Sequence, residues 1–260
     1  DFGQNSSFGQ GTEGTPILLG SPGTTGSIWI DSGTHSTNRT FHLAEGGTGS
    51  IGTLGGQVSL NGVISGGSDT SMMLFGMQGT GVFSVNAQNT YSGATRISGH
   101  PTSNQGVVRL GNDNALPTTT TVHLGNVAHT GYLDLNGNDQ ELAGLVKAST
   151  STASNSLISV FNTSASQSTL TLDIASGTNT YVGSIGRSGG NNLALVKTGE
   201  GVLELSGANT YTGATAVHNG TLRIGADNAL PTSTTVTLGL DASDNSALLD
   251  LNGFNQQLAG

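Results

Sequence analysis

The sequence predicts an all-β fold, a parallel β-helix (β-solenoid) forming a single elongated domain. Three observations carry that expectation: a polar but nearly uncharged composition, a long internal repeat, and short stretches of period-two hydrophobicity bounded by turn residues. Of the 260 residues, 33% are apolar and 9% charged, while 42 are Gly. Disordered chains also have low hydrophobicity, but they are rich in charge and proline, and this one has 5 Pro. Its polarity lies in Ser, Thr, Asn and Gly. Thr and Val favour pleated backbone, and Gly and Asn supply the positive φ angles that tight turns need.

The repeat locates the structural units. Residues 79–95, GTGVFSVNAQNTYSGAT, return as GEGVLELSGANTYTGAT at 199–215, setting Tyr91 against Tyr211. The run from Arg109, RLGNDNALPTTTTVHLG, returns from Arg223 as RIGADNALPTSTTVTLG, and LDLNGNDQELAG from Leu133 returns as LDLNGFNQQLAG from Leu249. The two long repeats cover about 72–144 and 192–260. Length differences between them fall in turn-like stretches, Ser98–Gly106 in the first copy and Leu240–Ser246 in the second, so the strands keep register while loops vary.

Within the second copy, alternating segments end at Gly, Asn or Asp. One parity is apolar: Leu193 and Leu195, Leu203 and Leu205, Leu222 and Ile224, Val236 and Leu238, Leu249 and Leu251. The other carries Glu204, Arg223, Thr237 and Asp250. One face therefore looks into a core and the other into water. No amphipathic helix pattern of useful length appears, which removes the βαβ route to a parallel sheet. A β-sandwich has no reason to repeat over so long a stretch, whereas thin three-strand coils that stack along an axis do. Roughly 10 to 13 coils, about 50 to 60 Å at ~4.8 Å per coil, are expected.

The segment Leu195–Gly225, LVKTGEGVLELSGANTYTGATAVHNGTLRIG, resembles the autotransporter-associated β-strand repeat, also called the passenger-associated transport repeat. The likeness couples a KTGxG turn (Lys197, Thr198, Gly199, Gly201) to an SGANTYTG turn (Ser206–Gly213) and a GTL strand (Gly220–Leu222). Residues Gly76–Thr95 are a degraded version without the Lys and the SGA. Arg39–Gly67 and Tyr181–Gly190 resemble the same family's lead-in strands, so the likeness spans roughly residues 27–260. Residues 1–26 do not match and are expected to be an entry cap or a divergent coil. The resemblance implies that the β-helix is right-handed and is an autotransporter passenger, carried to a bacterial outer-membrane surface or secreted by a translocator barrel that this sequence does not contain. The start at Asp1 and the stop at Gly260 read as a processed product or an excerpt.

Composition also excludes partners. With 16 acidic and 7 basic residues and a net charge of -9, no clustered cationic face for nucleic acid is expected. No apolar run suffices to cross a bilayer, so no membrane insertion by this segment is expected. Cys is absent, which leaves no disulfide or thiolate chemistry.

The candidate chemical groups read as structural. GTGSIG, with Gly47, Gly49 and Gly52, matches a dinucleotide fingerprint by letter but has no helix after it. His35, His42, His100, His123, His129 and His218 show no ligand spacing, and Thr237 replaces His123 in the second copy. Asp134 and Asp250 are expected as outward, solubilising charges, and Asp113 and Asp227 as turn residues bonding the local backbone. Asp241 and Asp244, two acids in a polar inserted loop, are a candidate for Ca²⁺ set against the solvated charges such loops usually carry. Tyr91 and Tyr211 are expected to pack at a turn. Trp29 has outward parity, exposed for a sugar ring or covered by the N-terminal segment. No catalytic, cofactor-binding or metal-binding residue is assigned, and no cofactor. The expected role is a noncatalytic stalk or adhesive surface. The alternatives are a self-assembling extracellular fibre subunit and a polysaccharide-active β-helix enzyme. A host or matrix surface, carbohydrate, and end-to-end self-association are the partners considered.

Overall fold

The structure is a computed structural model that describes residues 15–99, 106–127, 129–151, 154–189, 191–239 and 246–259. It is a β-solenoid of about nine turns. Every strand pairing among the described residues is parallel and joins one coil to the next. Strands are numbered in chain order and lie on three faces. The first face holds β1 (Ile17–Leu19), β4 (Phe41–Leu43), β7 (Ile64–Gly66), β14 (Gln140–Leu142), β17 (Ser168–Asp173), β20 (Leu193–Thr198), β22 (Thr215–Val217) and β24 (Val236–Leu238). The second holds β2 (Thr25–Ile30), β5 (Thr48–Thr53), β8 (Met72–Met77), β10 (Ala94–Ser98), β12 (Thr121–Leu124) and β15 (Gly144–Lys147). It continues through β18 (Thr178–Tyr181), which lies against β15, into β21 (Val202–Leu205), β23 (Gly220–Ile224) and β25 (Ala247–Asp250). The third is β3 (Thr34–Thr37), β6 (Gln57–Leu60), β9 (Val82–Val85), β11 (Val107–Leu110), β13 (Gly131–Asp134), β16 (Ile158–Phe161) and β19 (Ser184–Ile185).

A turn runs from Leu203 to its partner Leu222 at its shortest and from Gln140 to Leu170 at its longest. These long turns explain why there are fewer coils than composition suggested, giving a length of roughly 43 Å at ~4.8 Å per turn. The strands β1 and β2 pair with β4 and β5, so residues 17–26 already run as a coil.

The alternation read from the sequence is the alternation of the walls. Leu193, Leu195, Leu203, Leu205, Leu222 and Ile224 are all fully buried in one continuous core. Each contributes about 1.5–3 kcal/mol on burial, but only where a further coil lies above it. In the last described coil, Leu238 and Leu251 are 50% and 44% exposed, although their first-copy counterparts Leu124 and Leu135 are fully buried.

The two long repeats share local structure but not azimuth. The first opens with β8 on the second face and β9 on the third; the corresponding strands β20 and β21 lie on the first and second. The strands between the copies, β15 to β19, do not close a whole number of turns. The same outward residues therefore point in different directions in the two copies.

Candidate functional site: committed acids and a cationic cleft

The recurring acids, which an enzyme hypothesis would need, are consumed by coil stacking. Asp134 sits outward on β13 but is fully buried, a correction to its expected role as a solvated charge. The Arg109 Nε donates to its Oδ2 at 2.9 Å, and Thr163 of the next coil donates from its hydroxyl at 2.8 Å and its backbone N–H at 3.0 Å. The Asn136 N–H adds a fourth bond at 3.0 Å. Asp250 keeps the arginine, with Arg223 Nε at 2.9 Å, and the Asn252 N–H, but no Thr163 equivalent covers it and its side chain is 32% exposed. The hydrogen bond from Arg223 and then that from the Asn252 backbone hold the Asp250 carboxyl below the usual aspartate range. Asp113 and Asp227 do not bond the local backbone as expected. They accept the N–H groups of Asp139 and Asn255, one coil further on. Asp241 and Asp244 lie outside the described residues.

The repeat motif is stacking hardware of the same kind. Where Asn89 replaces strand backbone, its amide accepts the Ile64 N–H at 2.7 Å and donates to the Ala115 carbonyl at 2.6 Å, bridging three coils. Asn209 does the same between Ile185 and Ala229. Tyr91 and Tyr211 are buried, with hydroxyls 2.6 Å from Thr95 and Thr215, which in turn meet Thr120 and Thr234. Burial pushes both phenols well up from their ordinary values, against the hydrogen bonds to the threonines. Lys197 takes the inward position that Met77 takes in the first copy, and both are buried. Its Nζ donates to the carbonyls of Thr198, of Gly199 at 2.8 Å and of Asn219 at 3.2 Å, closing the KTG turn. Desolvation lowers its ammonium to about 8, with the Asp173 carboxylate acting in the opposite sense.

The other candidates are dispersed. Gly49 and Gly52 lie within β5, not in a loop ahead of a helix, and Gly47 immediately precedes the strand. A Cβ on Gly49 would meet Leu43 and Leu19, and one on Gly52 would stand 2.6 Å from the Trp29 ring. Trp29 is outward as its parity implied and 51% exposed. Of the histidines, His42 meets Ser65, His129 meets Ser98, and His35 meets the Ser32 carbonyl. Burial and then the neighbouring Arg96 lower His123. His218 pairs through its backbone N–H with the Lys197 carbonyl, and His100 lies outside the described residues. Among the described residues no group of three or more His, Cys, Asp or Glu is placed to hold a metal ion. No helix of the described residues is long and apolar enough to cross a membrane.

One surface feature had no sequence signal. After β19 the chain folds back along the third face, so that Arg187 stacks on Tyr132 and Phe161, with its Cζ 4.6 and 4.8 Å from their ring centroids. The two rings meet edge to face at 6.2 Å, and both are buried by this cover. Burial raises the Tyr132 phenol and the guanidinium opposes that shift. Beside this stack opens a cleft of about 340 Å³ lined by Thr80, Val82, Val107, Arg109, Phe161, Thr163, Arg187, Ser188 and Gly189.

Comparison with known proteins falls on the motif residues. Both copies match one known repeat. A family model described as passenger-associated-transport-repeat matches residues 77–99 and 195–224, the two segments in which Asn89 and Tyr91, or Asn209 and Tyr211, tie the coils together. No curated protein and no solved structure matches the chain.

Proposed function

We propose that this region is a noncatalytic, rigid part of an autotransporter-like passenger, displayed at a bacterial outer-membrane surface or secreted, acting as a stalk or adhesive surface. The observation that carries this reading is the commitment of the repeated polar residues to neighbouring coils. Asp134, Asp113, Asn89 and Tyr91 all spend their hydrogen bonds on cross-coil partners or on side chains that make them, so they serve stacking rather than chemistry. The matched passenger repeat, residues 77–99 and 195–224, supports the export assignment. A solenoid folds by nearest-neighbour addition, which suits a chain that crosses a membrane before it folds.

The test is enzymatic as well as physical. Incubation with acidic and neutral polysaccharides should release no reducing ends above a boiled control, and negative-stain images should show particles of constant length over a hundredfold range of concentration. Release of reducing ends would overturn the noncatalytic assignment. Filaments growing with concentration would favour self-assembly as the function.

A further inference from the structure

We propose that the cleft between Arg109 and Arg187 on the third face binds an acidic saccharide, its carboxylate or sulfate oxyanion held by Arg187. The chain is strongly acidic overall, yet two of its 7 basic residues line this one depression. Their situations differ. Arg109 is already matched to Asp134 through its Nε. Arg187 has no ion pair and no hydrogen-bond acceptor among the described residues; its guanidinium is fixed by stacking on Tyr132 and Phe161. The two rings stand at 77° to each other with the guanidinium carbon close to both, and with no acceptor of its own among the described residues its N–H groups are open to donate a planar fork to a carboxylate or sulfate. With Arg109 neutralised by Asp134, the cleft carries one uncompensated positive charge, which suits a singly charged group.

The remaining lining speaks for a sugar rather than a bare anion. Val82 and Val107 offer an apolar wall for the C–H face of a pyranose, and the hydroxyl residues Thr80 and Ser188 line the same cleft. The volume of about 340 Å³ is at the lower end of ligand-site volumes and matches one or two sugar rings. The loop that bears Arg187 also forms one wall of a second cleft of about 320 Å³, lined by Val182, Ser184, Ser206, Ala208 and Thr210 among others, which gives an oligosaccharide room to continue. This inference deepens the reading of the region as a displayed surface by naming what that surface takes up.

The experiment is isothermal titration of the protein with three probes: a tetrasaccharide of alternating glucuronate and N-acetylglucosamine, the neutral N-acetylglucosamine tetramer, and acetate. The acidic tetrasaccharide should bind, more weakly as salt is added, and the other two should bind at least about tenfold more weakly. Arg187→Gln, which removes the charged fork, and Ser188→Phe, which fills the cleft from an exposed position, should each weaken binding by about tenfold or more; the unfolding midpoint should stay unchanged in Ser188→Phe, while Arg187→Gln, which uncovers Tyr132 and Phe161, should stay folded at the titration temperature with a lowered midpoint. Equal binding of the neutral tetramer, binding of acetate as tight as that of the sugar, or full binding by both variants would overturn the assignment. Absence of any binding would overturn it too, and would leave the rigid-stalk reading standing, because that rests on particle shape and absence of turnover.

Discussion

Replacing Asp134 with alanine isolates the stacking role of the repeated acid, because the chain contains its own control at Asp250. Asp134 accepts four hydrogen bonds in a fully buried position, two of them from Thr163 of the following coil. Stranding the partner of a buried pair costs about 3–5 kcal/mol when the remaining charge stays dry. Arg109 does not stay dry: its side chain is 37% exposed and rehydrates. What remains is the loss of a charged acceptor by the N–H groups of Asn136 and Thr163, so the expected destabilisation is about 2–4 kcal/mol, on the order of 1 M in urea midpoint. Asp250→Ala, where no hydroxyl from a further coil lies on the carboxylate, should move the midpoint far less. Urea titration followed by far-ultraviolet circular dichroism reads both variants. Because solenoid stability is local, hydrogen exchange of β13 and β16 should rise in Asp134→Ala and stay unchanged in Asp250→Ala. Equal shifts for the two variants would refute the stacking role.

Further outcomes follow from the same contacts. Asn89→Leu leaves the Ile64 N–H without a partner inside the wall and the Ala115 carbonyl with only the longer bond from the backbone N–H of residue 89, and should cost about 1–3 kcal/mol in denaturant titration, against a near-neutral effect if the amide merely fills space. Tyr91→Phe should lower stability by about 1 kcal/mol, and a double-mutant cycle with Thr95→Val should show coupling of similar size. Lys197→Met copies Met77 of the first repeat and should fold. A lysine whose folded value lies near 8, below the ordinary 10.5, binds fewer protons folded than unfolded between those values. Its burial therefore opposes folding below pH 8, and the wild type should gain stability relative to Lys197→Met as pH rises from 8 towards 10.5. A flat difference over that window would contradict the burial of this ammonium. Gly52→Ala places a methyl against the ring of Trp29, the single tryptophan, so its emission should shift to the red as the ring lifts into water.

Much of the fold was legible because the pleat writes burial into the sequence at period two. Leu203 and Leu205 inward and Glu204 outward could be assigned from alternation alone, and the parity of Trp29 likewise. The limits are as physical as the successes. Alternation shows which side of its own wall a residue occupies, not what lies on top of it, so Asp134 read as solvated although Thr163 and Arg109 close over it. Leu251 shows the converse: its parity is inward, yet it is 44% exposed where the last described coil has none above it. The change of face between the two copies was hidden because it depends on how many strands the intervening residues spend per turn, which turn signals alone do not count. The cleft escaped for a related reason. Arg187 reaches Tyr132 and Phe161 only through a loop that folds back across the coils, and nothing local in YVGSIGRSGG marks that path.

The account rests on parallel coils stacked in register into a stiff rod, and distances along the third face test this most directly. Thr34, Gln57, Val82, Val107, Tyr132, Ser159 and Ser184 are successive register partners on that face. The absence of native Cys allows spin labels to be placed uniquely by substitution of Thr34 paired with Val107 or Ser184. Dipolar electron resonance should give narrow distributions whose backbone separations grow by ~4.8 Å per coil, to about 14 and 29 Å. Broad distributions, or a Thr34–Ser184 separation no longer than that of Thr34–Val107, would contradict the stacked rod.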